Sequence, residues 1–160
     1  EAKKIYKAAL SRGEESPGQL DPFVKGKIAN LHAEVAQAYV DAGMPADAMH
    51  ELRKAILLCP TFADLRLRLA NLYRQTGDLE AARFELEEAV AAKAGYVPAH
   101  VALGVVLLAL NKKDEAMKRW REALSIDPEN KAAAMYLRMA RGIKDSGSMA
   151  PVAERKPDEE

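Results

Sequence analysis

A period of 34 residues runs through the middle of the chain. Gly43, Gly77 and Asn111 are each 34 residues apart, and each lies in a short turn. On both sides of these turns, apolar residues recur at i, i+3, i+4 and i+7, which is the spacing of an amphipathic helix. Gly and Asn tolerate the left-handed conformation that ends a helix. A fixed period with two helices per unit predicts a solenoid, because no single unit can bury its apolar face alone.

Aspartates beside the turns indicate where helices begin. Asp78 and Asp114 follow two of the turns, and Asp is among the best N-cap residues. Asp21 precedes Pro22, and proline is favoured at the first helical position. Helices are therefore predicted to begin after Asp21, Asp78 and Asp114.

Small and large apolar residues alternate in the same 34-residue register. The positions are Ala48, Ala82 and Ala116, then Leu52, Leu86 and Trp120 four residues later, then Ala55, Ala89 and Ala123. The alanines mark places where two helices approach closely, because a larger side chain there would push the helices apart. Ala, Leu and Met dominate the apolar residues and aromatic residues are only 6 % of the chain, which favours helix over strand.

The repeating residues resemble the tetratricopeptide repeat family, whose units read Trp-x2-Leu-Gly-x2-Tyr, Ala-x3-Phe-x2-Ala and Pro. The first-helix matches are His32, Val35, Ala36 and Tyr39, then Arg66, Leu69, Ala70 and Tyr73, then His100, Leu103, Gly104 and Leu107. The family's Trp position is never Trp here, although the period is unaffected. The resemblance implies an all-α, right-handed superhelical solenoid of three helix-turn-helix repeats plus a C-terminal capping helix.

The repeats cover residues 29–128. Residues 129–144 continue in register as one more first helix, but Arg138 and Arg141 stand where a partner helix would pack. A polar outer face is typical of the capping helix that a solenoid requires for solubility. Residues 145–160 are rich in Ser, Gly, Pro and charge, which predicts a disordered tail.

Residues 1–28 precede the first complete unit. Ala2, Tyr6 and Ala9 have the spacing of a second helix, and Leu10 follows them. The next unit begins about twelve residues later than the repeat requires, so a segment is inserted, with extra turns on the first helix. We interpret residues 1–28 as the end of a degenerate earlier repeat followed by an inserted loop.

Charge and cysteine content narrow the function classes. The 24 basic and 24 acidic residues cancel, which gives no electrostatic reason to expect nucleic acid as a partner. The longest apolar run, residues 101–110, is too short to span a bilayer, so no membrane insertion is expected. Cys59 is the only cysteine, which rules out an internal disulfide, and its place before Pro60 suits a buried helix end. The compartment stays open, with a slight preference for the cytoplasm.

No residue pattern for catalysis or metal binding is found. His32 and His100 occupy equivalent places in different repeats and cannot share a metal ion, and His50 lies on a second helix. No zinc-ligand spacing, Gly-rich phosphate loop or Ser–His pairing is present. The sequence therefore predicts a protein that is not an enzyme and that uses no metal or cofactor.

The resemblance instead implies a partner-binding surface. In this family, residues two, five, nine and twelve of each first helix face the concave side. Candidate partner-binding residues at these places are Asn30, Gln37, Leu67, Asn71, Arg74, Val101, Val105, Leu108, Met135 and Met139. The N-terminal half of this surface is mixed polar and the C-terminal half is apolar. One family branch grips a carboxylate with Lys, Asn and Arg; only Asn71 of that set is present, so such a clamp is not expected.

The third first helix, Ala99–Leu110, has no polar face, and a helix that is apolar all round must be covered on every side. Its apolar strip is either internal core or is covered by a partner segment, a second copy or the chain's own N-terminal stretch. The predicted function is a scaffold or adaptor that binds a peptide or helix of another protein in its concave groove. The alternative is a structural module that forms a homo-oligomer through the same groove.

We expect Ala82→Leu to overpack the helix crossing in the second repeat and to lower the free energy of unfolding by about 1–3 kcal/mol. A substitution of similar size at Glu88, predicted to be exposed, should cost less than about 0.5 kcal/mol. Urea denaturation measures both values. Equal effects would show that the assumed register is shifted.

Overall fold

The computed structural model describes residues 20–142, which form seven α-helices and no strand. The helices are α1 Pro22–Asp41, α2 Pro45–Leu58, α3 Ala63–Thr76, α4 Leu79–Ala92, α5 Val97–Ala109, α6 Lys113–Ile126 and α7 Lys131–Gly142. Helices α1 to α6 pack as three pairs, and the second helix of each pair also packs against the next first helix. The predicted all-α helical solenoid is confirmed. The helix predicted near the N-terminus and the tail at residues 145–160 lie outside the described residues.

Helix α1 is longer than the repeat pattern requires. It begins at Pro22, seven residues before the predicted start of the repeats at residue 29, so the boundary drawn at residue 28 falls inside the helix. The Asp21 carboxylate accepts hydrogen bonds from the backbone N–H groups of Phe23 and Val24, at 2.8 and 3.4 Å, as expected of an N-cap. Part of the insertion is thus used to add two helical turns.

The turn residues take the backbone conformations that their types predict. Gly43, Gly77 and Asn111 have φ angles of 72°, 87° and 60°, the left-handed region that ends a helix. Asp78 caps α4, and its carboxylate accepts from the N–H of Ala81 at 3.0 Å. The prediction for Asp114 was wrong. Helix α6 begins one residue earlier, and Asp114 lies in its first turn, where a negative charge favours the positive end of the helix dipole.

The nine repeating core positions, from Ala48 to Ala123, are at most 2 % exposed. They belong to two clusters: an N-terminal cluster formed by the first pair and α3, and a C-terminal cluster that runs from α3 to α7. Tyr73 packs against both clusters. Its hydroxyl accepts a hydrogen bond from Arg53 at 3.1 Å, so α2 and α3 are also joined at the surface. Coupling between units is therefore local, as expected of a solenoid.

One crossing differs from the other two. The first two pairs combine Ala36 with Leu52 and Ala70 with Leu86, whereas the third combines Gly104 with Trp120. A Cβ atom on Gly104 would lie 2.3 Å from Nε1 of Trp120, so only glycine leaves room for the indole. The Trp120 N–H donates to the carbonyl of Val101 at 3.1 Å, and its ring stacks on Tyr136 with centroids 5.4 Å apart. The larger side chain thereby ties α6 to both α5 and α7.

The close approach at Gly104 predicts strong coupling between the two residues. Gly104→Ala should lower the free energy of unfolding by at least about 1–3 kcal/mol, because its methyl group meets the indole. Trp120→Leu should cost more than about 2 kcal/mol through the volume it vacates. The double variant restores the Ala–Leu pairing of the other units, and it should lose at least about 1 kcal/mol less than the sum of the single losses. Urea denaturation of all four proteins gives the coupling, and strict additivity would contradict it.

Candidate partner-binding groove

Two hollows lie side by side along the first helices of the pairs, and together we call them the groove. The smaller hollow, about 180 Å³, lies between α1 and α3, and Gln37, Arg68 and Gln75 are among its lining residues. The larger hollow, about 360 Å³, lies between α3, α5 and the start of α7. Asn71 lines both hollows, so the two are neighbours.

Six of the ten predicted binding residues meet in the groove. They are Gln37 in the smaller hollow, Asn71 in both, and Leu67, Arg74, Val101 and Val105 in the larger. Of the remaining four, Asn30 is exposed outside the lining and Leu108 is half-buried against the C-terminal cluster. Met135 and Met139, on α7, are 45 % and 59 % exposed and also lie outside the lining.

Several residues that line the groove were not predicted from the sequence. Arg68, Gln75, Ala102 and Tyr136 each follow directly after a helical position assigned to the concave side. Successive helical residues are about 100° apart, so a wide groove includes the neighbour at the edge of the same face. Asn130 gave no such signal, because its place in the sequence suits a helix cap. Its side chain does cap α7 by accepting from the N–H of Ala133 at 3.0 Å.

The groove carries positive charge. Arg68 and Arg74 are its only charged lining residues, and the other polar lining side chains are amides and the Tyr136 hydroxyl. Within residues 20–142, Arg74 is exposed and has no ion pair. Burial raises the pKa of the nearby Tyr96 hydroxyl, and Asp64 adds to this rise while Arg68 opposes it. A negative group entering the larger hollow would meet an uncompensated cation at Arg74.

The floor of the larger hollow is the apolar strip on α5. Leu103 is fully buried in this helix, whereas Val101 and Val105 are half-buried and line the hollow. The one polar residue of α5, His100, is 4 % exposed. Within residues 20–142, Val101 and Val105 therefore pack against the C-terminal cluster on one side and line the larger hollow on the other.

Two of the three histidines, His32 and His100, lie beside carboxylates within the helix pairs, whereas His50 is exposed. In the first pair, Glu51 accepts hydrogen bonds from His32 at 2.6 Å and from Lys54 at 2.7 Å. Equivalent positions in the second pair place Arg66 2.8 Å from Glu85 and 3.7 Å from Glu88. Where the family has Trp, His32 and Arg66 reach from the first helix of the pair to a carboxylate on the second.

The third pair uses the same positions with the charges exchanged. Arg119 donates to Glu122 at 3.0 Å, and His100 Nδ1 lies 3.5 Å from the same carboxylate. Nε2 of His100 donates to the carbonyl of Ala94 at 2.8 Å, while Nδ1 has no hydrogen bond. In the first two pairs these contacts therefore bond the two helices together, whereas in the third pair the bond from Arg119 to Glu122 lies within α6 and His100 only approaches the carboxylate.

The thiol of Cys59 is buried in the core. Cys59 is 8 % exposed, and burial raises the pKa of its thiol, which keeps the less reactive protonated form. In the part of the chain that the structure describes, no group of His, Cys, Asp and Glu side chains could hold a metal ion. None of the helices in this part is both long and apolar enough to cross a membrane.

Both family models that match this chain describe the same kind of repeat. Two family models described as tetratricopeptide repeat match residues 39–95 and 97–130. No curated protein sequence matches the chain.

Several solved structures are similar. The first TPR of Spaghetti (RPAP3), bound to the HSP90 peptide SRMEEVD, is 25 % identical with a TM-score of 0.69, over 73 % of this chain and 93 % of that one. MamA is 23 % identical with a TM-score of 0.68, over 88 % and 73 % of the two chains. The second TPR domain of human RPAP3, in complex with the HSP70 peptide SGPTIEEVD, is 21 % identical with a TM-score of 0.67, over 76 % and 98 %.

Glu51 predicts a pH dependence of stability. Burial acts to raise the pKa of this carboxyl, but hydrogen bonds from Lys54 and His32 outweigh it, and the net pKa lies below the ordinary 4.5. A carboxyl whose pKa is lowered by folding contributes stability above its unfolded pKa and loses it as pH falls through the folded value. Unfolding by urea at a series of pH values should therefore show the free energy of unfolding falling as pH drops below 4.5.

Two Glu→Gln variants separate the contribution of the Glu51 carboxyl to this pH dependence from that of an exposed carboxyl. Glu51→Gln should be less stable than the parent at neutral pH and should lose less stability between about pH 6 and about pH 3. Glu34→Gln removes an exposed carboxylate from α1 and should give a curve like that of the parent. A Glu51→Gln curve parallel to the parent curve over this range would contradict the assignment.

Proposed function

Because the chain belongs to the tetratricopeptide repeat family, we propose that it is a non-catalytic adaptor that binds a peptide or helical segment of a partner protein in its groove. This family is generally a protein-interaction fold without catalytic activity. The described residues agree with that role in one respect, since His32 and His100 lie beside carboxylates within their helix pairs and Cys59 is buried.

The larger hollow is the observation that carries the proposal. Its lining includes half-buried Leu67, Val101, Val105 and Asn71, and the exposed Arg74 stands at its edge. A concave apolar surface with a few polar groups at its rim is the arrangement that binding sites share, because apolar burial supplies affinity and the polar rim fixes orientation. An apolar side chain of the partner would occupy this floor.

The charge at the rim of the larger hollow favours an acidic residue beside that apolar side chain of the partner. Arg74 has no ion pair within residues 20–142, and no carboxylate lines the groove. An acidic residue next to the apolar anchor would therefore be attracted to the rim. The peptides in the RPAP3 complexes, SRMEEVD and SGPTIEEVD, combine apolar and acidic residues, which supports a ligand of this general kind. The clamp cations that one family branch uses are absent here, so the mode of holding would differ.

A capture experiment with groove variants tests the proposal. Val105→Glu should abolish retention of a partner while changing the melting temperature only slightly, because a half-buried position can keep a charge in contact with water. Leu103→Glu, two residues away and fully buried, should instead unfold the third pair at a cost above about 3 kcal/mol. Arg74→Gln should weaken retention without affecting folding.

The outcomes separate the alternatives. If Val105→Glu is as destabilising as Leu103→Glu, the strip behaves as core and the binding site must lie elsewhere. A mass that rises with protein concentration for the parent, and not for Val105→Glu, would favour self-assembly through the groove instead. Multi-angle light scattering over a range of concentrations makes that measurement.

A further inference from the structure

Helix α1 carries an apolar stripe that is less covered than the equivalent stripes of the other first helices. The α1 stripe consists of Leu31, Val35 and Ala38, at i, i+4 and i+7 along one helix face. The equivalent residues are Leu65, Leu69 and Leu72 in α3, Ala99, Leu103 and Val106 in α5, and Ala133, Leu137 and Ala140 in α7. None of these nine is more than 6 % exposed. In the α1 stripe, by contrast, Leu31 is half-buried, Val35 is 40 % exposed and Ala38 is exposed.

The difference has a single structural origin. Helices α3, α5 and α7 each pack against the second helix of the preceding pair, which is α2, α4 or α6. Within residues 20–142, no helix precedes α1. The α1 stripe thus has the composition of a helix–helix interface and lacks the one neighbour that covers its equivalents. Apolar area left in water is unfavourable, so a matching helix would bind there favourably.

The chain itself contains a segment with the required spacing. Ala2, Tyr6 and Ala9 repeat the spacing of Ala48, Leu52 and Ala55 on α2, and Leu10 then corresponds to Ile56. Ile56 and its equivalents Val90 and Leu124 are partly buried against the two core clusters. We propose that residues 2–12 form a helix that docks on the α1 stripe of the same chain, in the way that α2 docks on α3.

The length of the connection fits this docking. Between the pairs, four residues join a second helix to the next first helix, as at residues 59–62 and 127–130. Nine residues, 13–21, separate the proposed helix from α1 and can span up to about 30 Å. The seven extra residues of α1 raise its start by about 10 Å, and packed helices lie about 8–10 Å apart. The insertion is therefore long enough to return along the two extra turns and cross to the neighbouring position.

This docking is independent of the groove. The α1 stripe uses Leu31, Val35 and Ala38, and none of these residues lines either hollow. With residues 2–12 in place, the face of the first pair that would meet a preceding repeat is closed by the chain itself. In that arrangement a second copy does not need to cover the α1 stripe.

Paramagnetic broadening in the full chain tests the proposal. Cys59→Ala removes the only native thiol, and Ser11→Cys then accepts a nitroxide label. The equivalent of Ser11 on α2 is Leu57, which is 83 % exposed, so the label should not disturb the interface. We expect the methyl signals of Leu31 and Val35 to lose at least half of their intensity, and those of Val105 to keep theirs. A mixture of labelled chains with unlabelled, isotope-enriched chains should show no loss.

Each other outcome overturns the proposal. Broadening of Leu31 and Val35 in the mixture would show that the segment comes from a second copy. No broadening in either sample would show that residues 2–12 leave the stripe open.

In the labelled chain, Leu10→Asp should restore the methyl signal intensity at Leu31 and Val35. The matched control is Lys4→Asp, whose equivalent His50 is exposed, and it should leave the broadening unchanged. Equal effects of the two variants would contradict the assigned face.

Discussion

The structure depends on the fact that no helix pair in this chain buries its apolar surface alone. Within each pair, fully buried alanines such as Ala48, Ala82 and Ala116 let the two helices approach closely, and this leaves an apolar face on the outside of the pair. Stacking the pairs buries that face, so every unit depends on its neighbours. The first helices then lie side by side, and the groove between them follows from the stacking without any residue being placed for binding alone.

The 34-residue register allowed most of the fold to be predicted from the sequence. It identified the helix pairs, the turns at Gly43, Gly77 and Asn111, and the buried alanines, because each depends on local spacing and on residue type. The start of α6 was misplaced because Asp114 suits both an N-cap and a first helical turn. The groove was predicted only in part. Positions taken from the family include Asn71 and Val105, which line the hollows. They did not give the width of the groove, which depends on how far apart the helices stand.

In each pair, a polar side chain of the first helix approaches a carboxylate on the second helix, but the residues that make this approach differ from pair to pair. Where the family has Trp, this chain has His32, Arg66 and His100, and each reaches a carboxylate on the second helix of its pair. In the third pair the carboxylate has moved three residues along α6, to Glu122, and Arg119 stands where the other pairs have Glu. Sequence comparison position by position would score these as unrelated substitutions. The contact that they make between the helices is nevertheless retained in every pair.

The pairing of Gly104 with Trp120 also constrains the order in which such a crossing can arise. If the third unit began with the Ala–Leu pair that the other two retain, introducing Trp first would drive its indole into the alanine methyl group. Replacing Ala by Gly first costs only about 1 kcal/mol in helix propensity and opens the space that the indole later fills. Tryptophan is therefore accepted at this crossing only when glycine stands opposite it. With Trp120 in place, alanine at position 104 is excluded unless the indole is replaced as well, so neither residue can be exchanged alone.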